Sequence, residues 1–136
     1  MKPYDALTQR GKIRRLRQVV FQALVDYDLT VEWVRLLADG TNTLFRIRST
    51  AGRDYVMRIY SDSETTLREN KAEMFWLDSL VHNTDIPVSV PVKRRDGQYL
   101  TLVTRPNVPP DRRCVLFEWV PGRPLENYLT PDNYYK

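Results

Sequence analysis

A carboxylate set inside an apolar helical stripe constrains this chain more than any other feature. At about 100° per residue, Leu67, Met74, Leu77 and Val81 line one side of a helix, and Trp76 and Leu80 widen that stripe. Glu73 falls within it, since Trp76, Leu77 and Leu80 follow at helical spacing. A lone buried charge costs more than a small domain can absorb, so such a group needs a cation or a proton. The preceding run YVMRIY, Tyr55 to Tyr60, reads as a strand, and its lone cation is Arg58, on the face shared by Val56 and Tyr60. The spacing therefore predicts an ion pair between Arg58 and Glu73 that joins strand to helix. The remaining guanidinium donors would be left for a further anion such as a phosphate. The alternative is a rim position at which the Glu73 carboxylate reaches water. The cluster Ser61-Asp62-Ser63-Glu64, rich in residues that accept the first unpaired helical N–H groups, is the expected start of this helix.

Around this unit the chain organises as follows. Thr8 to about Tyr27 has the pattern of an amphipathic helix, with Ile13, Leu16, Val20 and Leu24 along one side. Val31–Leu37 and Asn42–Arg48 read as strands, joined by a turn containing Gly40, Thr41, Asn42 and Thr43. Such a turn either closes a hairpin or sets backbone N–H groups and hydroxyls against phosphate oxygens. The turn Ala51–Asp54 leads into the Tyr55 strand. Beyond the helix, Val90–Arg94 and Tyr99–Thr104 are expected as strands joined at Asp96-Gly97. RPNVPPDRR, Arg105 to Arg113, reads as a proline-rich loop unable to continue the sheet, and Cys114–Val120 as the last strand. The expected fold is thus α+β: a five- to six-stranded antiparallel sheet, one helix packed after the third strand, and a helix at the N-terminus.

A chain of 136 residues, 42% hydrophobic and 28% charged, fits one compact soluble domain. It contains no apolar run long enough to span a bilayer and no secretory signal, so no membrane partner is expected. The single cysteine, Cys114, cannot pair internally, which favours a reducing, cytoplasmic home. The net charge of +4 is a mild excess. Its densest patch, Arg10, Lys12, Arg14, Arg15 and Arg17, opposes the dipole of the helix that carries it. That patch reads as a solvated face; without an aromatic platform or a nucleic-acid motif beside it, nucleic acid is disfavoured as a partner.

Four segments, GTNTLFRI, YVMRIY, AEMFWLDSL and LFEWVPGRPL, resemble the N-terminal lobe of the aminoglycoside phosphotransferase and choline kinase group, relatives of protein kinases. The likeness runs from about Leu36 to Gly122. It implies that Gly40, Thr41, Asn42 and Thr43 form the loop over the ATP phosphates, and that Arg58 takes the place of the phosphate-binding lysine, paired with Glu73 of the helix. It further implies that Val56 roofs the adenine pocket, Phe117 forms its back, and Glu118, Trp119 and Val120 form the hinge. On that reading residues 1–29 are a helical extension, 30–121 the lobe with its hinge, and 122–136 the start of a second, helical lobe.

The resemblance implies ATP and Mg2+ as cofactors, with nucleotide and a small-molecule hydroxyl acceptor as partners. The pattern is broken in two places. Arginine replaces the family's lysine at 58, and the His-x-Asp loop and later aspartate that orient the acceptor and hold magnesium are absent. No catalytic residue and no metal ligand is therefore assigned to this chain, and its surface where a second lobe would dock is expected to favour self-association. The alternative reading is a non-catalytic module, either a basic binding element built on the first helix or a scaffold with a degenerate kinase lobe.

Overall fold

The computed structural model describes residues 6–40, 42–60, 66–83, 90–105 and 108–119, the side chains of 108–111 excepted. Among the described residues two helices and five strands follow in the order α1 (Gln9–Leu24), β1 (Val31–Asp39), β2 (Thr43–Ser49), β3 (Asp54–Ile59), α2 (Leu67–Asn83), β4 (Leu100–Arg105) and β5 (Val108–Glu118). The strands form one antiparallel sheet in the order β1-β2-β3-β5-β4. The expected α+β architecture is the one observed.

Period-two alternation sorts the sheet into two faces with different covers. On one face Phe45, Ile47, Met57, Ile59, Cys114 and Leu116 pack against Leu16, Val19, Val20, Ala23 and Leu24 of α1. On the other, Leu44, Val56, Tyr60, Val115 and Phe117 pack against Met74 and Leu77 of α2. Burying the apolar side of α1, as its amphipathic pattern predicts, leaves Arg10, Arg14 and Arg17 exposed while the helix covers the back of the sheet. Its first turn is closed by Thr8, whose hydroxyl accepts from the Gly11 N–H.

Three expectations about elements need correcting. The cluster Ser61–Glu64 lies outside the described residues, and α2 begins at Leu67. Its first turn is closed by a reciprocal exchange in which the Glu69 N–H donates to Thr66 Oγ1 and the Thr66 N–H donates to Glu69 Oε1. Val90–Arg94 is not a regular strand: only Pro91 bridges, to Phe117, while the Val92 N–H donates to the Leu116 carbonyl and Val90 accepts from Glu118. Proline at the bridge has no N–H to extend a ladder. The turn at Asp96-Gly97 is present, with Gly97 at φ 85°. The proline-rich stretch does join the sheet, because β5 starts at Val108 and pairs with Arg105. A register irregularity between Val103 and Arg105 accommodates backbone that cannot donate there.

Candidate functional site

Alternation along β3 puts Val56, Arg58 and Tyr60 on the α2 face, and all three are fully buried. Glu73 points back from α2 and is only 7% exposed. Arg58 Nη1 donates to Glu73 Oε1, so the pair expected from spacing is present and the rim alternative is not. A third group, which sequence reasoning did not include, completes the contact. The Tyr60 hydroxyl donates to the same Glu73 oxygen at 2.8 Å and accepts from Arg58 Nη1 at 3.3 Å. Burial, chiefly, pushes the Tyr60 phenol well above its usual range, so it remains a donor at any physiological pH.

Arg58 is not saturated by these contacts. Its Nε and Nη2 are buried and find no hydrogen-bond partner among the described residues, although the guanidinium carbon lies 4.7 Å from the centre of the Phe117 ring. Unmet donors on a buried cation are costly, and they lie where a bound anion would be most rewarded.

The register fixes how the other candidate residues stand to Arg58. Leu44 is directly opposite Arg58 and Thr43 opposite Ile59, so the turn of Gly40 and Asn42 lies just beyond the Arg58 end of β3. Thr43 Oγ1 donates to Asp39 Oδ1 at 3.0 Å, and the Gly40 N–H donates to the Asn42 carbonyl. Gly40 does not use the left-handed backbone region, which is occupied by Gly52 and Gly97. A Cβ there would meet nothing within 4 Å, so neither conformation nor a neighbour demands glycine at 40. At the other end of β3, Tyr55 is opposite Glu118 and Val56 opposite Phe117. The N–H groups of Glu118 and Trp119 are both taken, by the carbonyls of Val90 and Asp54. Thr41 and Val120 lie outside the described residues.

A second charged constellation occupies that end of the same face. Asp54 receives Arg46 Nε and Nη2 at 2.9 and 2.5 Å, and Arg48 Nε and Nη2 at 2.7 and 3.1 Å. Its side chain is 8% exposed, and the hydrogen bonds from Arg48 and then Arg46 hold its carboxyl down at about 2 against an ordinary 3.8. Arg46 stacks 4.1 Å from the Trp119 ring and Arg48 lies 5.0 Å from Trp33. A cavity of about 530 Å³ opens beside this group, between the turn at Gly52 and Trp119. The signal for it was available, because Arg46 and Arg48 share a face by alternation and the short turn sets Arg48 opposite Asp54.

Residues 32–135 match the model of the phosphotransferase enzyme family, APH. The chain belongs to this family. A protein of Deinococcus radiodurans, described as uncharacterized, is 33% identical over 101 residues, which is 74% of this chain and 28% of that protein. Among solved structures, the microcompartment-associated aminopropanol kinase superposes with a TM-score of 0.69 at 26% identity, covering 82% of this chain and 34% of that one. An amicoumacin kinase in complex with AMP-PNP and Ca2+ gives a TM-score of 0.67 at 23% identity, over 85% of this chain and 35% of its own; that likeness speaks for the fold. The chain thus spans about a third of the length of these relatives. The sheet with its helix after the third strand is a kinase-like N-terminal lobe. None of the described helices is long and apolar enough to cross a membrane.

Proposed function

We propose that this chain is the nucleotide-binding lobe of an ATP-dependent small-molecule phosphotransferase, which moves the γ-phosphate of ATP to an acceptor hydroxyl. The observation that carries the reading is the pair of unmet, buried donors on Arg58, held by Glu73 at the place where the family resemblance expects a phosphate-binding cation. A phosphate oxygen supplies what Nε and Nη2 lack, and because both are shielded from solvent, binding involves a local displacement that uncovers them.

The rest of the site is assigned on the same footing. Gly40, Thr41, Asn42 and Thr43 lie over the phosphates, and the absence of any internal need for glycine at 40 fits a close approach by ligand. Val56 and Phe117 form the roof and back of the base pocket. From the Glu118 end of β3 to Arg58 is three residues, about 10 Å at strand rise, which suits the span from a purine to the phosphates behind it. With the N–H groups of Glu118 and Trp119 taken, the base is left to read carbonyls of the hinge and residue 120. The role of this chain is to bind and orient, and ATP brings the transferable group. Magnesium ligands and the residue that orients the acceptor hydroxyl are assigned to a second lobe, in a cytoplasmic parent protein whose C-terminal part starts near residue 122.

The test is a titration of the full-length parent with ATP and with ADP, followed by tryptophan fluorescence, in wild type and Arg58→Ala. The expected result is saturable binding that weakens by at least about tenfold in the variant, the scale of a lost charge-assisted contact. No binding by wild type, or equal binding by both, overturns the reading. The exposed Arg10, Arg14 and Arg17 keep open a basic binding role for α1, which predicts instead an affinity for RNA or anionic vesicles that falls steeply with salt.

A further inference from the structure

An arginine at position 58 poses a problem that a lysine does not. A lysine ammonium is a compact point that can touch an acid and a phosphate with one nitrogen, whereas a guanidinium is a rigid fork with five donors on three nitrogens. Facing a carboxylate alone, the fork tends to engage it two-pronged, and that would spend the very edge best matched to a phosphate. In this structure the fork does not do so. It meets Glu73 through Nη1 alone, and the Nε–Nη2 edge is left unmet. Glu73 Oε1, the oxygen that Nη1 meets, also accepts from the Tyr60 hydroxyl, 2.8 Å away, and that hydroxyl also receives Arg58 Nη1.

We propose that Tyr60 is the positioning residue that makes an arginine usable at this site: it occupies the acid alongside Nη1, holds the guanidinium end-on, and thereby reserves the Nε–Nη2 edge for a nucleotide phosphate. This rests on the nucleotide-binding reading above and specifies which atoms of Arg58 the phosphate meets. Tyr60 sits two places after Arg58, on the same face of the β3 segment, and is 1% exposed, so its ring cannot swing to another partner. Its phenol stays protonated and able to donate, because burial disfavours the charged form. Residue 60 contributes nothing to the nucleotide directly and acts through Arg58.

The experiment compares ATP, ADP and adenosine binding to the full-length parent in wild type, Tyr60→Phe, Arg58→Ala, Arg58→Lys and the double variant Arg58→Lys/Tyr60→Phe. Tyr60→Phe is expected to weaken ATP and ADP by about tenfold while leaving adenosine unchanged, a discrimination that general loosening of the core does not produce. With lysine at 58, adding Tyr60→Phe is expected to change ATP affinity by less than about twofold, since a single nitrogen has no edge to reserve. ATP affinity unchanged in Tyr60→Phe, together with a loss in Arg58→Ala, overturns the inference and leaves the nucleotide reading standing; failure of wild type to bind any nucleotide removes both. Should phenylalanine at 60 prevent folding, the 15N resonance of Arg58 Nε in wild type decides the matter. It is expected to shift on saturation with ATP, and ATP binding without any shift sinks the proposal.

Discussion

Two arginine–carboxylate sites stand on one face of this sheet, at opposite ends of β3, and they are built to opposite plans. Around Asp54, two arginines deliver four hydrogen bonds to one acid, and each guanidinium also lies over a tryptophan. The arginine side chains there remain 33% and 39% exposed, so their unused nitrogens can turn to water. Around Glu73, one arginine and one tyrosine share one carboxylate oxygen, all three side chains are buried, and two nitrogens of the cation find no partner among the described residues. The first arrangement completes itself. The second leaves one edge of its cation unmet, and that asymmetry, more than the presence of an ion pair, is what the proposal of a phosphate contact at Arg58 rests on.

The comparison can be broken from its stronger side first. Glu73→Ala leaves a buried, unpaired guanidinium and is expected to cost about 3–5 kcal/mol in urea denaturation. Replacing both partners, Arg58→Met with Glu73→Leu, should recover most of that stability while leaving no phosphate contact. If the single variant is as stable as wild type, the site is not the tightly coupled unit described. Asp54→Asn is expected to cost only about 1 kcal/mol, discounted because both arginine partners reach solvent.

Salt and acid sharpen the contrast further. Raising ionic strength to about 1 M should shrink the Asp54→Asn effect and leave that of Glu73→Ala nearly unchanged. The Asp54 carboxyl titrates lower in the folded state, at about 2, than its ordinary 3.8. Its contribution is therefore fully present above about pH 4 and is lost as pH falls toward 2, so wild type and Asp54→Asn should converge in stability across that window. The smallest effect belongs to Arg46→Lys, which keeps the charge but loses the planar stack on Trp119. It should cost no more than about 1 kcal/mol, with a change in tryptophan emission as its main sign.

The Arg58–Glu73 contact was legible because two periodicities, two for the strand and 3.6 for the helix, each left one charge inside an apolar stripe. Tyr60 was visibly on the Arg58 face, but alternation says which side a residue takes and not how far its hydroxyl reaches. Several residues with capping oxygens in a row at Ser61–Glu64 mask the start of α2 in the sequence, although Thr66 and Glu69 carry the spacing of the reciprocal cap that closes it. Arg105–Arg113 reads as a loop in the sequence because proline denies the sheet a donor. Whether that matters depends on where the partner strand's ladder is irregular, and the irregularity opposite Val103–Arg105 is a tertiary fact. That the N–H groups of Glu118 and Trp119 are taken is hidden in the sequence for a similar reason, since the carbonyls that take them belong to segments far away along the chain.

Cys114 lies in β5 beneath α1, with no exposed surface, and burial raises its thiol to about 12. At neutral pH a thiol reagent must therefore wait until α1 lifts from the sheet. The chain thus carries its own clock for opening of its back layer, and running that clock with and without nucleotide would report whether a ligand on one side of the sheet tightens the other.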